Sequence, residues 1–179
     1  HGFSNKSRIS APDGSTVTLE SGNTFRFRLD GSRIEHFTYG QVNPFGLAFD
    51  PLGNIYSTDC HTQPVYQLLR GGDYPHFAKL PTGLGFGPEM MDHNHGSTAI
   101  AGIVNYSADQ FPAEYRGNIF TGNVVTSRIN RDALEDRGST QFAVEKPDFL
   151  VSDDPWFRPV DMELGPDGAL YVADFYNRI

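Results

Sequence analysis

Apolar and polar positions alternate along this chain in short runs, and turn residues interrupt them every few positions. In "NTFRFRLDGSRIEHFTYG", Phe25, Phe27 and Leu29 alternate with arginines, and Asp30-Gly31 marks a tip. A period of two puts alternate side chains on one strand face, so the segment predicts a β-hairpin. "NPFGLAFDPLGNIYSTDC", residues 43 to 60, predicts a second. Its apolar run over 45–50 leads into Asp50-Pro51-Leu52-Gly53 and returns over Ile55 to Thr58. Proline presets the first turn angle and glycine supplies positive φ.

The phrase comes back as "RPVDMELGPDGALYVADF", residues 158 to 175. Without a gap the two copies match at Pro44/Pro159, Pro51/Pro166, Gly53/Gly168, Tyr56/Tyr171 and Asp59/Asp174. A looser copy lies between them. Ala101 to Val104 form its first strand, Gly117-Asn118-Ile119-Phe120 mirror Gly53 to Tyr56, and Ser107 to Arg116 enlarge the turn. A fixed register of this kind marks a repeat fold. The hairpins at 43–59, 99–123 and 158–174 each open a unit. Two units continue, one through Val65 to Leu69 and Gly71-Gly72, the other through a turn near Gly138 and a strand over Gln141 to Val144. The expected fold is all-β: a partial β-propeller domain over 1–179, with about three four-stranded blades. A β-sandwich seldom restates one hairpin in register. No helix longer than the "PAEYR" turn is expected.

Composition agrees with many short strands: Gly 19, Pro 12 and 13% aromatic residues. The net charge of −8 speaks against nucleic acid, whose phosphates need clustered Lys and Arg, and against an anionic membrane surface. No apolar run approaches the length of a transmembrane segment. Cys60 is alone, which excludes an internal disulfide. The chain starts at His1 and stops at "YNRI" just after a strand, so it reads as part of something longer.

Candidate chemistry gathers before the first strand of each copy. "MDHNHGS" places Asp92, His93 and His95 ahead of the middle hairpin. An imidazole there suits a general base, with His95 the first choice, or joins Asp92 in a metal site; a solvated polar loop is the plain alternative. Asn43 and Arg158 hold equivalent places, each directly before a proline. Arg158 suits a carboxylate or phosphate, or else an ion pair between blades. Asp59, Asn123 and Asp174 end the returning strands, where acids can ring calcium or cap turns; His61 follows Asp59 in one copy alone. Innermost propeller strands run side by side, so Asn43, His95 and Arg158 are expected at one mouth, with Asp59 and His61 nearby.

At "NPFGLAFDPLGNIY", "FPAEYRGNIF" and "FRPVDMELGPDGALYVADFYNRI" the chain resembles the glucose/sorbosone dehydrogenase type of propeller, in particular the membrane-bound dehydrogenases of planctomycetes and related bacteria. The resemblance implies a six-bladed ring, exported to the periplasm or outside the cell. It implies oxidation of sugar or alcohol hydroxyls with pyrroloquinoline quinone and calcium, a histidine taking the proton, and transfer to a cytochrome c module. Asn43-Pro44 match the end of an Arg-Asn-Pro stretch that contacts the quinone, with Val42 in place of the arginine. No C-x-x-C-H occurs, so a haem module would lie outside this chain. The competing expectation is a non-catalytic propeller that binds carbohydrate or protein.

Overall fold

A computed structural model of the chain describes residues 1–2, 6–20, 22–76 and 85–178. Among them lie β1 (Lys6–Ser10), β2 (Thr16–Glu20), β3 (Thr24–Arg26), β4 (Glu35–Thr38), β5 (Pro44–Phe49), β6 (Ile55–Asp59), β7 (Val65–Gln67) and β8 (Gly72–Asp73). There follow β9 (Gly85–Phe86), β10 (Ile100–Asn105), β11 (Ile119–Asn123), β12 (Arg128–Arg137), β13 (Thr140–Val151), β14 (Pro159–Leu164) and β15 (Leu170–Asp174). The helical content of the described residues is one 3-10 turn, Ala113–Tyr115, inside the predicted "PAEYR" turn. The fold is all-β and of the propeller type, and it divides into two compact units.

The first unit comprises His1–Pro44 and Leu68–Pro88. Its β1–β2 hairpin buries Val17 and Leu19 from alternate positions of β2, against Ile34, Ile9 and Phe25. The β3–β4 pair forms as the alternation predicts, its turn closed by the Arg28 amide on the Ser32 carbonyl at 2.9 Å. Its apolar face is shorter than expected, because Phe27 and Leu29 lie beyond β3 and are exposed. The segment after Leu69 also departs from the expected fourth strand. Gly71 turns it with φ 80°, and it bonds alongside residues 37–39, the Tyr74 amide donating to the Tyr39 carbonyl at 3.0 Å. β8 then pairs with β9 in parallel.

The second unit, Phe45–Gln67 and Glu89–Ile179, holds three successive sheets. Their strand orders are β5-β6-β7, β10-β11-β12-β13 and β14-β15. The middle one is a complete four-stranded blade, and the sheets on either side of it in sequence have three and two strands. The middle sheet is apolar on both faces. Ile103 and Ile119 pack with Ala48, Tyr56 and Met91, while their neighbours Val104 and Phe120 pack with Tyr106, Ile129 and Met162. Burial from both sides explains why β10 carries a near-continuous apolar run where a one-sided strand alternates, and why β11 is buried at every position.

The repeat is visible in the turns. The Asp50 amide bonds the Asn54 carbonyl at 3.1 Å, Gly165 bonds Ala169 at 2.8 Å, and Tyr106 bonds Asn118 at 2.9 Å. Gly53, Gly117 and Gly168 have φ of 84°, 73° and 77°, the left-handed region that favours glycine. At the opposite end Pro159 faces Asp174 as Ile100 faces Asn123. The inner strands approach closely: a Cβ on Gly102 would lie 2.6 Å from the Asp161 Cα and 3.0 Å from the Val160 carbonyl oxygen. A side chain there would force the middle and third sheets apart.

Candidate functional site

The strongest constellation in the second unit is built from "MDHNHGS" and β12. Residues 89–95 run beside the middle sheet, anchored where the Ala143 amide donates to the Met90 carbonyl at 2.7 Å. Met90 and Met91 are buried, which fixes the path of the segment that follows. His93 Nε2 then lies 2.8 Å from Asp132 Oδ1, and His95 Nε2 lies 2.9 Å from Asp132 Oδ2. The two rings meet edge-on with centroids 5.1 Å apart. On their far sides, His93 Nδ1 is 3.6 Å from Asp92 Oδ1 and His95 Nδ1 is 3.5 Å from Glu145 Oε1. The Asp132 side chain is 0% exposed, that of His95 1% and that of His93 15%.

Electrostatics follow from this packing. Burial alone would raise the Asp132 carboxyl, but hydrogen bonds from His93 and His95 outweigh it and hold the group below its ordinary value. The Asp132 carboxylate raises His93 above the usual imidazole value, against the effect of burial. Asp132 stands opposite Ile119 and Glu145 in the sheet, whereas the start of β10 is level with Asn123. The His95 carbonyl accepts from Asn123 Nδ2 at 3.1 Å, so its backbone stays near the start of β10. Its ring bonds Asp132 on the third strand and lies near Glu145 on the fourth. Asp132 had no place among the sequence candidates. "RINRDAL" reads as an ordinary strand, and a buried acid looks like a solvated one until the covering segment is known.

Arg158 lies in the same unit and is 6% exposed. Its backbone amide donates to Asp174 Oδ1 at 2.8 Å, and Nη1 donates to Ser127 Oγ at 3.0 Å and to the Phe157 carbonyl at 3.1 Å. Ser127 closes the turn between β11 and β12 with φ 55°, so the guanidinium ties the third sheet to the middle one. Among the described residues it has no carboxylate within ion-pair distance, and its Nε has no partner.

Asp59 and Asp174 each cap the turn that follows. The His61 amide donates to Asp59 Oδ1 at 2.9 Å and the Tyr176 amide to Asp174 Oδ1 at 2.9 Å. His61 is exposed, and Asp92 is exposed beside His93. Asn43 is half-buried in the first unit, where the position a Gly2 Cβ would take lies 3.9 Å from its Oδ1. Thus the structure assembles His93, His95 and Asp132, with Asp92 and Glu145 behind them. Arg158 with Asp174 stands as a separate group.

Cys60, next to Asp59, donates to the Ile100 carbonyl at 3.1 Å. Burial, helped by the Asp59 charge, pushes its thiol up to about 11. At pH 8 its thiolate fraction is then roughly 100-fold below that of an unfolded cysteine. Alkylation by iodoacetamide is expected to be slower by the same factor and to rise tenfold per pH unit up to pH 10. A rate within threefold of the urea-unfolded chain at pH 8 would show an unburied thiol.

The family described as "Domain of unknown function (DUF7133)" matches residues 1–179. Aldose sugar dehydrogenase YliI of Escherichia coli K12 is 27% identical over 172 residues, covering 79% of this chain and 41% of that protein. An oxidoreductase of Thermus thermophilus described as a glucose dehydrogenase superposes with a TM-score of 0.61 at 22% identity. That match covers 88% of this chain and 47% of the other. A further glucose dehydrogenase gives a TM-score of 0.54 at 26% identity, covering 80% of this chain and 40% of its own. The chain therefore spans less than half the length of these relatives.

Proposed function

The chain belongs to the DUF7133 family, and from that premise we propose that it is part of a six-bladed, exported propeller that oxidises sugar or alcohol hydroxyls. The observation that carries this reading is the likeness to an aldose sugar dehydrogenase along 79% of the chain. Among the described residues no helix is long and apolar enough to cross a membrane.

Pyrroloquinoline quinone is the proposed cofactor. When bound, it would accept the two electrons released as a hydroxyl is oxidised, with a cytochrome c module as the onward acceptor. The fit to this chain rests on Arg158. Its buried guanidinium has an unpartnered Nε and no carboxylate, and such a group favours an anion like a quinone carboxylate. Asn43 is the proposed hydrogen-bonding partner for cofactor or substrate. For calcium, Asp59 and Asp174 are the proposed oxygen donors, with Asp92 a further one, while His61, a nitrogen donor, suits a softer ion. The proton-accepting role expected of His95 requires one ring nitrogen to leave Asp132 or Glu145.

A binding-only propeller has one observation in its favour: Val42 is fully buried where the resembled cofactor stretch has arginine. The two readings separate on reconstitution of the intact protein with pyrroloquinoline quinone and calcium, followed by dye reduction over a panel of sugars. Turnover is expected, and Arg158→Ala is expected to weaken quinone binding by about 10- to 100-fold, the worth of hydrogen bonds to a charged group. A folded protein that titrates no quinone would leave the binding-only reading in front.

A further inference from the structure

The His93–Asp132–His95 cluster makes a demand that hydrogen bonds within it meet only at a cost. A neutral imidazole carries one N–H and one lone pair. Here each ring has a carboxylate near both nitrogens, Asp132 at Nε2 and Asp92 or Glu145 at Nδ1. Neutral rings therefore leave a lone pair facing a carboxylate oxygen in both cases. Two imidazolium ions would satisfy the arrangement, and so would one divalent cation held between the two Nε2 atoms and Asp132.

We propose that His93, His95 and Asp132 bind a zinc-class divalent ion. Among the described residues, they form the one such group whose donor atoms all lie within 4.8 Å of one another. Two imidazoles and one carboxylate are a borderline donor set that suits zinc and does not suit calcium, which asks for six or more oxygens. Ligand bonds of about 2.0–2.1 Å at tetrahedral angles separate donor atoms by about 3.3 Å. His93 Nε2 and His95 Nε2 sit 2.8 Å and 2.9 Å from the two different oxygens of Asp132, so ligation requires the rings to draw back and the carboxylate to turn, with all three donor atoms starting within 4.8 Å of one another. Asp92 and Glu145 then act as the carboxylates that hold a metal-bound histidine by its Nδ1–H and fix its tautomer. A water completes the fourth position on the His93 side, the more open one.

The ion would be a staple. Residues 93 and 95 come from the covering segment and Asp132 from the third strand of the blade, so the metal joins two pieces of chain that sequence separates by nearly forty positions. An ion on His95 Nε2, with Nδ1 held by Glu145, leaves that ring no lone pair for a substrate proton, so this assignment replaces the proton-accepting role proposed for His95. The proposal does not depend on the dehydrogenase reading, since metal can be counted whether or not any sugar is oxidised.

The test is elemental analysis of the intact protein, followed by chelator stripping and titration with zinc and with cobalt(II). One equivalent of zinc per chain is expected, and stripped protein should take up one cobalt with the visible absorption of a four-coordinate ion. His93→Ala, the least buried of the three changes, should abolish one-to-one binding. Glu145→Gln should weaken it by about 10- to 100-fold, as loss of such a carboxylate does elsewhere. His36→Ala, in β4 of the first unit, should leave stoichiometry unchanged. If wild-type protein with native circular dichroism neither retains nor takes up metal at micromolar zinc, the proposal is wrong. It is also wrong if His93→Ala binds cobalt with the wild-type spectrum.

Discussion

Replacing Asp132 by alanine is expected to destabilise the protein by about 3–5 kcal/mol, the usual cost of removing one partner from a buried ionic group. The magnitude follows from the burial of what remains. His95 is 1% exposed and would keep its ring in the interior with Nε2 unpaired, and His93 would lose its 2.8 Å partner. A typical domain has about 5–15 kcal/mol in all, so such a loss takes a large share. Asp132→Asn separates the causes. Its carbonyl oxygen accepts from one ring and its amide donates to the other, so the hydrogen bonds survive while the charge does not. About 1–2 kcal/mol is expected for that change. Urea denaturation of the two variants beside wild type reads both numbers. If Asp132→Ala stays within about 1 kcal/mol of wild type, well under the usual cost, the cluster is not what holds residues 89–95 to the blade.

The second large effect belongs to the aromatic packing between the middle and third sheets. Phe120 is fully buried, 4.9 Å from the Phe149 ring centroid and 6.1 Å from that of Tyr106, with both contacts edge-to-face. Phe111 stacks on Tyr106 at 4.4 Å, and the Tyr106 hydroxyl donates to the Gly168 carbonyl at 3.0 Å. Removing the Phe120 ring would leave a cavity that these rings cannot all collapse into. Phe120→Ala is expected to cost about 3–5 kcal/mol, while Phe120→Leu, which refills most of the volume, should cost about 1 kcal/mol. The ratio of the two losses is the informative quantity. Equal losses would mean that ring-to-ring geometry, worth only about 0.5–1.5 kcal/mol, outweighs the filled volume.

The glycine-containing turns were legible because their requirements are local. A proline followed by a glycine of positive φ sets its own conformation, so the matched turns of 43–59 and 158–174 could be aligned before any contact was known. Even the long insertion of the middle copy was legible, since Tyr106 and Asn118 keep the bond that Asp50 and Asn54 make across a much shorter turn. Side-chain alternation depends on the strand and its immediate surroundings.

Where the chain goes after a turn is decided by partners far away in sequence. Residues 71–74 could have run back along β7, but hydrogen bonds to residues 37–39 hold them elsewhere. His95 belongs to the segment before β10, yet its ring bonds a buried oxygen on a strand 37 positions on. A lone acid in "RINRDAL" carries no mark of its burial, and an arginine before a proline none of the serine it will reach. By itself the sequence determined the hairpins and the fixed spacing of their repeat, because turn dihedrals and strand alternation are set within a few residues. Only the tertiary structure decided that His93, His95 and Asp132 meet, because the water excluded around them is excluded by Met90, Met91 and the packed sheets, which no short stretch of sequence contains.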